Sequence, residues 1–264
     1  MKLNKTKIVA TIGPSSSSRP VIKRLMVAGV DVFRINFSHS SYEETAKTVQ
    51  EIRSLNEELN IHASILGDLQ GPKIRVGEVK EGVHLKKGNH ISFTTNEINE
   101  PGNDELVYIN YKNFPSDVDV NERILINDGK LILKVIETNK KDLVKTRIVQ
   151  GGALESNKGV NLPNTKISLP ALTSKDIADL SFAIKNNFDW IALSFVRSRK
   201  DISNLKKLID TNSSHKIPII AKIEKPEALI NIDEILKKAD GIMVARGDLG
   251  LEIPAEEVPL NQKL

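Results

Sequence analysis

The chain has 264 residues, with 38 basic and 34 acidic side chains and a formal charge of +4. That balance, with only seven Phe, three Tyr and one Trp to stack on bases, argues against a nucleic-acid partner. The absence of cysteine rules out disulfides and thiolate metal sites and fits a cytoplasmic protein. A hydrophobic fraction of 39% beside 27% charged residues describes a globular chain, and no apolar run reaches membrane-spanning length.

Lys7 to Ile12 reads as a strand closed by Gly13-Pro14-Ser15. The apolar run there is too short for a signal peptide. Serines 15–18 can cap a helix with Val21, Ile22, Leu25 and Met26 on one face, ending near Gly29. Val30 to Phe37 is a second strand, with Arg34, Asn36 and Ser38 alternating along one side of its end. A long helix with Val49, Ile52, Leu55 and Leu59 at helical spacing follows, then a strand from Ala63 to Leu66 that ends in Gly67-Asp68. Strand, helix, strand, helix, strand implies parallel strands with right-handed crossovers.

From Ile74 to Ser168 the rhythm changes to short beta-rich pieces separated by turns. Asp128-Gly129, between Ile124-Leu125-Ile126 and Leu131-Ile132-Leu133, is a strong hairpin signal. The alternation then resumes. Ser174 can cap a helix with Ile177, Leu180 and Ile184 inward, and Trp190 to Val196 is a fourth strand. Ile202, Leu205 and Ile209 mark a helix before the strand at 217–223. Leu229, Ile232 and Ile235 mark another before the strand at 241–245, and Glu256 onward looks like the first turns of a last helix. The expected organisation is a barrel domain over 1–73, an inserted all-β lid domain over 74–168, and the second part of the barrel over 169–264. Six of the eight strands of a (β/α)8 barrel are accounted for. Nothing at Gln262-Lys263-Leu264 resembles a natural terminus, so the chain reads as the N-terminal part of a longer protein.

Charged residues fall at the strand ends: Arg34, Asn36 and Ser38, then Asp68, Lys222 and Glu224, and Arg246-Gly247-Asp248. A surface ion pair explains any one of them. Four such groups on one edge of one sheet mark the mouth where barrel enzymes keep their sites. Two carboxylates and a lysine there suit a divalent cation with an anionic substrate. His62, His84, His90 and His215 show no metal-ligand spacing, and there is no glycine-rich phosphate loop.

Several blocks carry a resemblance to the pyruvate kinase family. They are Lys7-Ile-Val-Ala-Thr-Ile-Gly-Pro-Ser15, Phe33-Arg-Ile-Asn-Phe-Ser-His39 and Gly67-Asp-Leu-Gln-Gly-Pro-Lys-Ile-Arg75, followed by Leu169-Pro-Ala-Leu-Thr-Ser-Lys-Asp176, Ala221-Lys-Ile-Glu224 and the run Asp240 to Pro254. The resemblance implies a TIM barrel with a β-rich domain inserted after the third strand. It implies transfer of the phosphoryl group of phosphoenolpyruvate to ADP, giving pyruvate and ATP. Glu224 and Asp248 match the Mg2+ ligands, Lys222 the lysine that neutralises the moving phosphoryl group, and Arg34 the arginine that holds the substrate phosphate. Gly247 and Asp248 match the turn that binds the substrate carboxylate, while Asn36, His39, Arg75 and Lys175 match positions that meet the nucleotide. Asn36, Ser38, Asp68 and the backbone of Leu69 match the K+ contacts. Members that require K+ carry glutamate where this chain has Lys73, so its ammonium is expected to replace K+. The family's last two strands and its C-terminal domain, which helps to form a homotetramer, have no counterpart, so the chain alone is expected to be poorly active. Other barrel enzymes acting on phosphoenolpyruvate or pyruvate lack the inserted β-domain. A truncated relative kept as a binding or regulatory module is the other reading: the intact Lys222, Glu224 and Asp248 argue against it and the truncation argues for it.

Overall fold

The computed structural model describes residues 5–38 and 41–263. The chain opens with β1 (Val9–Thr11), α1 (Arg19–Val27), β2 (Val32–Asn36), α2 (Tyr42–Leu59) and β3 (Ser64–Leu69). Then follow β4 (His84–Leu85), β5 (His90–Thr94), β6 (Leu106–Tyr108), α3 (Phe114–Asp117), β7 (Arg123–Ile126), β8 (Leu131–Thr138), β9 (Leu143–Gln150), β10 (Gly152–Ala153) and β11 (Val160–Asn161). The last stretch holds α4 (Ser174–Lys185), β12 (Trp190–Leu193), α5 (Arg199–Asn212), β13 (Ile219–Ile223), α6 (Pro226–Ile230), α7 (Ile232–Leu236), β14 (Gly241–Val244), α8 (Arg246–Glu252) and α9 (Val258–Lys263). Two compact units divide these elements. The first is Met1–Gly71, Ala171–Ile223 and Ile230–Val244; the second is Pro72–Pro170, Glu224–Leu229 and Ala245–Leu264.

In the first unit the sheet order is β1-β2-β3-β12-β13-β14, with every neighbouring pair parallel. Strands that follow in sequence lie side by side, which is the order of a TIM barrel with six of its eight strands. The inner strands β3, β12 and β13 are buried on both faces, so they read as apolar runs: Ile65, Leu66, Ile191, Ala192, Leu193, Ile219, Ala221 and Ile223 are all buried. Gly67 sits where a Cβ would come within 3.0 Å of both Phe188 and Phe37, two rings stacked at 5.8 Å. Only glycine lets β3 pass that close to the aromatic layer.

Helix ends follow capping chemistry, with some shifts from expectation. Ser41 caps α2 by accepting from the Glu44 N–H, and Asn60 closes that helix in the left-handed region at φ 52°. Thr173, one residue earlier than expected, caps α4 in a reciprocal box with Asp176. Ser174 is therefore the first helical residue, and Ile177, expected inward, is 45% exposed. The expected helix over Leu229–Ile235 breaks at Asn231 into α6 and α7.

In the second unit a six-stranded sheet runs β11-β7-β8-β9-β5-β6, antiparallel except between β5 and β6, and β4 pairs with β10. Its core includes Ile91, Phe93, Val107, Tyr111, Phe114, Ile124, Leu133 and Val144, fully or nearly fully buried. The β7–β8 hairpin pairs Ile126 with Leu131, and Asn127, Asp128 and Gly129 take φ of 54°, 54° and 78°. Asn, Asp and Gly are the residues that tolerate such angles. The second unit also holds α8, which begins at Arg246 immediately past the end of β14. The Arg-Gly-Asp tripeptide, read as a strand end from the sequence, is thus the first turn of a helix.

Candidate functional site

The first unit gathers three of the expected residues around one buried carboxylate. Asp68, in β3, has a side chain only 2% exposed. Arg34, from the neighbouring β2, donates from Nε to Asp68 Oδ2 at 2.7 Å and also pairs through Nη2, while its Nη1 donates to Thr11 Oγ1 at 2.9 Å. Lys222, from β13, lies 3.3 Å from Asp68 Oδ2 and donates to Ser194 Oγ at 2.8 Å. Ser194 in turn donates to Asp68 Oδ1 at 3.3 Å. The side chains of Arg34 and Lys222 keep 22% and 10% exposure, and both cations meet the same carboxylate. A preorganised cationic cluster of this kind stabilises an anion that approaches it.

Parallel register brings these residues together. Asn36 pairs with Asp68, and Ala192 of β12 pairs with Asp68 from the other side. Ser194 lies just past β12, and the next residue, Phe195, takes φ 53°. A bulky residue in that region stores about 1–3 kcal/mol of strain, a feature that clusters at functional sites. Neither Ser194 nor Thr11 was singled out from the sequence. A serine or threonine at a strand end leaves no periodic signal.

The positions expected to meet the nucleotide and K+ divide between the two units. Lys175 Nζ donates to the Phe37 carbonyl at 2.9 Å and to Asp179 Oδ2 at 2.7 Å. Asp179 is fully buried and also accepts from the Tyr42 hydroxyl at 2.7 Å. Burial, and then the bond to Asp179, push the Tyr42 phenol up to about 12. Asn36 Oδ1 accepts from the Ser38 N–H, and the Leu69 side chain is buried. In the second unit Arg75 donates to the Asn157 carbonyl at 2.9 Å, and Lys73 is exposed, with its stem beside Gly159. His39 lies outside the described residues. Asn36 also lines a cavity of about 670 Å³ in the first unit, with Thr11–Pro14 on one wall and Glu44, Thr48 and Glu51 on another. Thr45 lines it too, and its buried hydroxyl has no hydrogen-bond partner.

The carboxylates Glu224 and Asp248 both belong to the second unit. Glu224 directly follows β13 and is 1% exposed; Asp248 is exposed in the first turn of α8. Among the described residues, no three His, Asp or Glu side chains gather as a ready metal cluster. No helix among them is long and apolar enough to cross a membrane.

A parallel barrel sheet with charged side chains converging on buried strand residues defines the class of TIM-barrel proteins. Residues 3–264 match the family described as "Pyruvate kinase, barrel domain". The chain belongs to the pyruvate kinase family. It is 43% identical over 261 residues to the pyruvate kinase of Thermococcus litoralis, covering 98% of this chain and 54% of that protein. With the pyruvate kinase of Geobacillus stearothermophilus the identity is 44% over 262 residues, 98% of this chain and 44% of the relative. With that of Staphylococcus aureus it is 43% over 264 residues, 99% of this chain and 44% of the relative. The chain thus spans about half the length of the curated relatives it matches.

Proposed function

We propose that this chain carries the substrate-binding part of a pyruvate kinase, a phosphotransferase that moves the phosphoryl group of phosphoenolpyruvate to ADP and so makes pyruvate and ATP in the last step of glycolysis. The observation that carries the reading is the convergence of Arg34 and Lys222 on the buried carboxylate of Asp68. Asp68 takes two of the five guanidinium donors of Arg34 and Thr11 a third, so the fork is oriented before a phosphate arrives. Lys222 is fixed through Ser194 and Asp68. A cation held in place lowers the barrier where it meets charge that develops in the transition state. Gly247 and Asp248, in the first turn of α8, present backbone N–H groups to the substrate carboxylate.

Oxygen-only donors such as Glu224 and Asp248 suit a hard divalent cation. These two residues would hold Mg2+. When bound, the ion would offset charge on the transferring phosphate. Asn36, His39, Arg75 and Lys175 serve the nucleotide. Lys175 then exchanges its bond to the Phe37 carbonyl for a phosphate. Lys73 takes the place of K+ among Asn36, Ser38, Asp68 and Leu69. Residues 74–168 act as the lid. The complete enzyme is a cytoplasmic homotetramer with no nucleic-acid or membrane partner.

The test follows pyruvate formation from phosphoenolpyruvate and ADP, in this chain and in a version extended to the length of the relatives. Turnover that needs Mg2+ and persists in K+-free buffer is expected, with the 264-residue chain the weaker of the two. A melting temperature raised by Mg2+ and phosphoenolpyruvate together would report the site without turnover. No turnover in the extended protein would overturn the function, and strict dependence on K+ would overturn the role of Lys73.

A further inference from the structure

Next to each proposed cation ligand lies a charged residue that the reaction does not use. Lys225 directly follows Glu224, and its side chain is only 8% exposed. Glu252 lies four residues beyond Asp248, one turn along the same face of α8, and is 1% exposed. The two meet: Lys225 Nζ is 2.8 Å from Glu252 Oε1. Asn161 of β11 donates from Nδ2 to the same oxygen at 2.9 Å. The other oxygen, Glu252 Oε2, is buried with no hydrogen-bond partner.

Burial of a charge pair is expensive, and an apolar pair of the same volume commonly serves stability as well or better. Glu252 carries a further penalty in its unpaired oxygen. A buried pair kept at such a disadvantage is best explained by the geometry it enforces. It joins the segment that bears Glu224 to the helix that bears Asp248, and Asn161 adds the exit strand of the β-rich region to the same oxygen. We propose that Lys225 and Glu252 are positioning residues. They hold Glu224 and Asp248 at the separation a divalent cation needs, and Asn161 makes that separation depend on where β11 sits. The inference rests on the assignment of Glu224 and Asp248 as the cation ligands.

Mn2+ binding by this chain, followed by the loss of the free-ion electron paramagnetic resonance signal, tests the pair without turnover. Lys225→Met and Glu252→Gln should each weaken Mn2+ binding at least tenfold, Asn161→Ala about threefold, and Lys225→Arg less than Lys225→Met. The decisive variant is Lys225→Met with Glu252→Leu, which removes both charges and refills the space. Its melting temperature should return to or above that of the parent while Mn2+ binding stays weak. If the double variant binds Mn2+ like the parent, or if the single variants lower the melting temperature and leave binding intact, the pair is structural and the inference fails. Glu224→Gln and Asp248→Asn separate the two levels. If they leave Mn2+ binding unchanged, the ligand assignment itself is wrong and the inference falls with it. If they abolish binding, the assignment stands and the pair is judged on its own variants.

Discussion

The two units place their charged side chains on different kinds of support. In the first, two cations, Arg34 and Lys222, converge on one carboxylate, Asp68. In the second, Glu224 and Asp248 lie beside a buried ion pair, Lys225 with Glu252. Asp68 and its partners stand on adjacent parallel strands, where register fixes their spacing. Glu224 and Asp248 lie past strand ends, on a short connection and a seven-residue helix, and need a side-chain tie to set their distance. Strands supply precision through the ladder itself; segments beyond them must obtain it from a buried pair.

Four substitutions would break or sharpen this contrast. The largest effect is expected from Lys222→Met, which removes the cation most enclosed by the first cluster. Turnover should fall about a thousandfold with little change in melting temperature, as for loss of one preorganised charge stabiliser; kcat measured beside a melt checks it. Asp68→Ala should act on the fold instead. It leaves Arg34 and Lys222 facing each other without their carboxylate, so urea unfolding should show a loss of about 3–5 kcal/mol. If Asp68→Ala proves as stable as the parent, the first cluster is not held by its ion pairs.

Gly67→Ala probes the scaffold beneath the charges. The added methyl would meet Phe37 and Phe188 at 3.0 Å, so a destabilisation of about 1–3 kcal/mol is expected, read from the melt. The smallest effect belongs to Tyr42→Phe, which removes the hydrogen bond to Asp179 at about 1 kcal/mol. Its pH dependence has a definite sign. The folded phenol is raised to about 12, from about 10 in an unfolded chain, so its contribution is complete below pH 10 and is lost as pH rises through 12. The stability gap between parent and variant should therefore close over that range in alkaline melts.

The sequence made the six parallel strands legible because the inner ones, β3, β12 and β13, are buried on both faces and so are continuous apolar runs, and each strand was followed or preceded by a helix of the right period. It placed Arg34, Asp68 and Lys222 at strand ends by the same patterning. Helix caps were less legible. Thr173 and Ser174 are equally good caps by composition, and the Asp176 side chain chose between them. Ile177 shows the limit of periodicity, since an apolar residue at the right spacing can still face water.

Chain order and residue chemistry determined the barrel order of the strands, the β-rich insertion, and the family, because those are written in local runs and contiguous blocks. Tertiary structure alone decided that Asp68 is the shared partner of Arg34 and Lys222, that Ser194 joins them, and that Lys225 reaches Glu252. Contacts of that kind depend on strand register and on which buried charges meet, and no local pattern encodes either one.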